Sequence, residues 1–90
     1  MRRASPVYQP LERFLKARDS FARATELDPD FAAAHAAFAN TMVSLTIAWL
    51  ALPARETMPR AAVAARRALE LDPTLPEAHV ALALVSTFYD

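Results

Sequence analysis

The sequence predicts an all-α fold, and three observations carry that prediction. Alanine, the strongest helix former, fills 21 of the 90 positions. Glycine is absent, so tight β-hairpins lose their best turn residue. Seven prolines cut the chain into stretches of helical length, and no stretch alternates apolar and polar residues with period two.

The elements follow in order. Pro6 and Pro10 are expected to hold residues 1–10 out of a helix, as a disordered tail. Helical stretches are then expected over Leu11–Leu27, Phe31–Leu52, Met58–Leu71 and Pro76–Tyr89, with breaks at Pro29, Pro53, Pro59, Pro73 and Pro76. In the second stretch, Phe31, His35, Phe38, Met42, Leu45, Trp49 and Leu52 step by four and three, the seam of a helix packed along its length. At 1.5 Å per residue that helix would run about 33 Å.

Composition excludes several function classes. Ninety residues suffice for one small domain. Ten basic and ten acidic side chains balance, so no cationic excess draws the chain to nucleic acid. Without cysteine there is no disulfide framework, no thiolate-ligated zinc and no thiol chemistry. Without glycine, P-loops, dinucleotide fingerprints and nucleophile elbows lose the backbone they need. The expectation is therefore a non-enzyme with no cofactor. Arg2, Arg3, Ala4 and Ser5 resemble a basophilic kinase acceptor, which Pro6 weakens. Two arginines without an apolar run do not make a signal peptide, and a cytoplasmic location is expected.

An internal repeat is the most informative feature. Residues 23–39 align without gaps to residues 67–83, an offset of 44, and ten of the 17 pairs are identical. Arg, Glu-x-Asp-Pro and His coincide, so the match does not rest on alanine alone. Ala17, Phe21, Ala24, Leu27 and Pro29 set small, aromatic and small residues before a Leu and a Pro. Ala61, Ala65, Ala68, Leu71 and Pro73 repeat the pattern with Ala65 in the aromatic slot. His35, Phe38, Ala39 and Met42, then His79, Leu82, Ala83 and Ser86, keep the spacing of a W-x2-L-G-x2-Y helix with looser residue types.

These motifs resemble tetratricopeptide (TPR) repeats over roughly residues 14–89. The resemblance implies antiparallel helical hairpins stacked as a fragment of a right-handed α-solenoid. The segments would be a half repeat over 11–30, a full repeat over 31–74 and a half repeat over 75–90. Small residues at Ala24 and Ala68 would be buried at helix crossings, with Asp-Pro stopping each second helix. The TPR unit is 34 residues long and this one is 44. Elongated repeats of this kind resemble arrays in bacterial signalling proteins, where they follow an effector domain.

The role the resemblance implies is a protein–protein interaction scaffold. Its first helices would line a groove for a peptide or an amphipathic partner helix. Ala36, Asn40, Val43 and Ile47 would form one rung, and Val80, Leu84 and Phe88 the next. Other readings compete with it. Phe31 to Ala54 contains no Asp, Glu, Lys or Arg, so a membrane-inserted segment over 31–52 is the alternative. Asn40, Thr41, Ser44 and Thr46 and the repeat register argue against it. His35 and His79 are expected to fill the slot of the pattern's Trp rather than bind a metal, since no local cluster completes a coordination sphere. Finally, Leu82, Val85 and Tyr89, with Val43, Ile47 and Leu50, are expected to lie uncovered and drive self-association by two-fold pairing or helix swapping.

Overall fold

The computed structural model describes residues 8–89 and contains four helices among them, with no strand. They are α1 (Tyr8–Leu27), α2 (Ala32–Ile47), α3 (Ala54–Leu71) and α4 (Pro76–Phe88). The all-α expectation holds. Residues 1–7, the greater part of the expected tail, lie outside the described residues.

Helix α2 packs against each of the other three, and α3 also packs against α4. Among the described residues α1 meets α2 but neither α3 nor α4. Among the described residues, ten of the sixteen buried apolar ones are alanine, so the helices meet through backbone-close contacts. Met42, Leu45 and Met58 are the large side chains sealed between them. Each contributes about 1.5–3 kcal/mol by leaving water. Phe14 of α1 stacks at a tilt on Trp49, with centroids 5.7 Å apart, and ties α1 to the loop after α2.

Three boundaries differ from expectation by more than one residue. Helix α1 begins at Tyr8, so Pro10 sits in its first turn. Backbone N–H groups there have no intrahelical acceptor, and a proline removes nothing.

Helix α2 stops at Ile47, five residues short of Leu52. Its end is folded back by Ala51 N–H and Leu52 N–H, which both donate to the Leu45 carbonyl at 2.8 and 3.4 Å. Leu50 adopts φ 53° to allow this, a conformation usually given to glycine. The Thr46 hydroxyl donates to the Leu52 carbonyl at 2.9 Å and meets the buried Thr57 hydroxyl at 2.6 Å. A turn thus replaces the last helical turns of the expected 33 Å rod.

Helix α3 begins at Ala54 rather than Met58 and runs through Pro59. The missing N–H deprives the Arg55 carbonyl of its intrahelical donor. Burial of Thr57 and Met58 just before the proline keeps the helix continuous.

The expected alanine crossings divide. Ala68 is fully buried, whereas Ala24 is only half-buried because, among the described residues, α1 packs on α2 alone. Ala68→Leu should therefore cost about 1–3 kcal/mol in urea unfolding. Ala24→Leu should cost well under half as much. Equal midpoint shifts would contradict this packing. Leu50 is 84% exposed and makes its turn at positive φ, so Leu50→Gly should stabilise the chain by roughly 0.5–1 kcal/mol in the same assay.

Candidate partner-binding cleft

The two Asp-Pro turns have the same construction. Asp28 N–H donates to Ala24 and Asp72 N–H to Ala68, at 2.9 and 2.8 Å. Phe31 N–H returns to Asp28 and Leu75 N–H to Asp72, at 3.0 and 3.3 Å. The Asp28 carboxylate accepts from Asp30 N–H, and the Asp72 carboxylate from Thr74 N–H. His35 Nε2–H then donates to the Pro29 carbonyl and His79 Nε2–H to the Pro73 carbonyl, both at 2.8 Å. The histidines clasp the turn that precedes their own helix, a role the pattern's Trp slot did not indicate. No group of three or more metal-ligating side chains occurs among the described residues.

The expected groove is occupied by the protein itself. Ala36 and Val43 are buried in the core between α2 and its neighbours. Asn40 Nδ2 donates to the Glu77 carbonyl at 2.6 Å and so fixes the start of α4. Ile47 and Leu84 are half-buried against the core. Only Val80 and Phe88 remain exposed, at 51% and 58%. The face of α2 assigned to a partner is the face that α4 covers. Of the surface expected to drive pairing, Val43 and Val85 are buried, Leu82 is half-buried, and Leu50 stands on a turn rather than on a helix face. Tyr89 is exposed as expected.

The open site lies elsewhere. Because α1 and α3 both rest on α2 without meeting, a cleft of about 830 Å³ opens between them. Phe38 of α2 and Ala22 and Ala64 from the two walls supply apolar surface, and Val63, 66% exposed, stands at its edge. Arg60, Arg66 and Arg67 of α3 line one side, and Glu26 and Glu70 are also present. The Arg60 guanidinium lies 5.6 Å from the Phe38 ring centroid, an arrangement worth about 0.5–1 kcal/mol at an exposed site. Arg67 is committed to Asp30 at 3.2 Å and Glu70 at 3.7 Å. Arg60 and Arg66 form no ion pair among the described residues. The sequence signal for this site was Val63 set within a basic helix face, which the seam of α2 overshadowed.

No described helix is long and apolar enough to cross a membrane. The segment that the alternative reading would insert, 31–52, is a helix of 16 residues followed by a folded turn. No family model matches the chain, and no curated protein or solved structure matches it.

The turn also makes a pH prediction. The Thr74 hydroxyl, at 2.6 Å, and then its N–H, at 3.0 Å, donate to the Asp72 carboxylate and hold its pKa below the ordinary 3.8. A depressed folded pKa stabilises the fold above the ordinary value, and that stabilisation is lost as pH falls through the folded one. Asp72→Asn should thus lower the melting temperature at neutral pH. The gap to the parent should close as the medium is acidified below about pH 4. A gap independent of pH would show that the carboxylate's charge is not what the turn uses.

Proposed function

We propose that the chain is a helical-repeat module of the TPR type that binds another protein, with the α1–α3 cleft as its docking site. The observation that carries the reading is that cleft: an open trough on α2 with an apolar floor and two arginines outside any ion pair among the described residues. Its volume falls within the range of about 300–1,000 Å³ usual for binding pockets. The backbone, aspartate and histidine bonds that the two turns share at an offset of 44 support the solenoid reading.

The partner this chemistry suits is an amphipathic helix with one large apolar anchor and acidic residues beside it. The anchor would cover Phe38 and Val63, and the acids would meet Arg60 and Arg66. The reading is of binding rather than catalysis, since the histidine in the cleft wall has its Nε2–H committed to Pro29. By the likeness of its long period, the module would serve a bacterial regulatory protein in the cytoplasm.

Selection from a displayed library of helical peptides tests this. Enriched peptides should combine a bulky apolar residue with flanking acids. Val63→Glu and Arg60→Glu should each weaken them by at least about tenfold, or 1.4 kcal/mol. Val80→Glu, on α4, should leave binding unchanged. Selected peptides that ignore Val63→Glu and respond to Val80→Glu would move the site to α4 and overturn the cleft reading.

A further inference from the structure

The register of 44 residues makes α3 the counterpart of α1 and α4 the counterpart of α2, and burial at matched positions is unequal. On α2, Phe38, Ala39, Met42 and Leu45 are all buried. Their counterparts on α4 and at its C-terminal cap are less buried: Leu82 is half-buried, Ala83 and Ser86 are exposed, and Tyr89 is 46% exposed. On α3, Ala61, Ala65 and Ala68 are sealed, while their counterparts Ala17, Phe21 and Ala24 on α1 are half-buried. The cause is the same at both places. Helix α2 has α1, α3 and α4 around it, and α3 lies against both α2 and α4. Among the described residues α4 has only α2 and α3, and α1 has only α2. So α4 is open where α2 carries its later neighbours, and α1 is open where α3 carries one.

We infer that these two surfaces fit each other, and that a second copy of this chain docks its α1 on α4 as α3 docks on α2. The seat is a shallow groove of about 280 Å³ along α3 and α4, to which Leu82, Val85, Ser86 and Tyr89 contribute. Their counterparts on α2, Phe38, Thr41, Met42 and Leu45, are the residues the packed helices bury. Small residues would again meet small ones, Ala17 and Ala24 of the second copy against Ala83, so the docked helix could approach as closely as α3 approaches α2.

The junction differs from the internal interface in one respect. Arg67 pairs with Asp30 inside the chain. The matched position to Asp30 is Thr74, so Arg23 of the docked helix finds no carboxylate there. The contact therefore depends on packing, and added salt should not dissolve it.

The two surfaces are different, so the contact is heterologous. Each copy offers α4 to one neighbour and α1 to another, and the assembly grows as an open stack rather than closing as a two-fold pair. The inference stands on the repeat register and the burial pattern, and because the seat shares Pro59, Val63 and Arg66 with the α1–α3 cleft, a partner held there would compete with the docked copy.

Sedimentation of the 90-residue chain from micromolar to millimolar concentration, with two variants, tests it. Ser86→Arg blocks the α4 surface and Ser20→Arg blocks α1. Ser20 is the counterpart of the buried Ala64, and both serines are exposed in a single copy, so neither change burdens the fold. The parent should gain mass with concentration past two chains. Each variant alone should stay monomeric. An equimolar mixture should form a species of two chains and stop there, because one intact α1 and one intact α4 surface remain to pair. A parent that stays monomeric, or whose mass levels off at two chains, overturns the inference. So does a mixture that fails to pair.

Discussion

Close approach of backbones around α2 is the constraint on which the rest of the structure depends. A helix can be flanked on three sides only if its own side chains take little room. Ala34, Ala36 and Ala39 provide that room on α2, and Ala61, Ala65 and Ala68 provide it on α3. Alanine gains little from burial by itself, but it brings the large residues of neighbouring helices within contact distance. Met42, Leu45 and Met58 then fill what remains, in a chain too short to bury many large side chains. The same geometry makes the cleft. Two helices laid on a third without meeting leave a trough whose floor is that third helix.

The polar groups in this packing are satisfied locally. No buried side-chain nitrogen or oxygen among the described residues lacks a hydrogen bond. The Thr41 hydroxyl donates to the Ala37 carbonyl one turn back, and the Thr57 hydroxyl donates to that of Thr46 across the α2–α3 junction while Thr46 donates to the Leu52 carbonyl. Among the uncharged side chains described, Asn40 is the exception in reach, since it bonds across 37 residues to Glu77. It is also the polar side chain that fixes where α4 lies on α2. A residue that would have served a partner at the rim of an open groove serves instead as an internal strut.

Some of this architecture was legible in the sequence, and the division has a physical basis. Both Asp-Pro turns and the 44-residue register could be read from residue identity because each turn is held by bonds within a few positions of itself. The end of α2 could not. It depends on a hydroxyl eleven residues away and on Leu50 in a conformation that no glycine advertises. Pro59 misled for the converse reason: it breaks helices by local rules, and burial of its neighbours outweighs them. The site was the least legible part. Periodicity finds the apolar faces of α2, but which face α4 covers and which stays open to a ligand follows from how four helices lie together. Ala36 and Val43 therefore moved from groove to core, while the basic face around Val63 gained the cleft.

The histidine clasps bear on how such a chain can lengthen. Each turn carries its own fastenings: an aspartate that receives the backbone ahead of it and a histidine that reaches back to the proline carbonyl. None of these bonds draws on a residue outside the turn and the start of the next helix. A tandem duplication of one 44-residue period, joined anywhere at matching register, would deliver each new helix pair with its corner already formed. The copied α3 would meet the original α4 with the side chains it already uses. Growth by whole periods would thus leave every existing corner intact, whereas a few residues inserted within a helix would turn the face beyond them away from its neighbours.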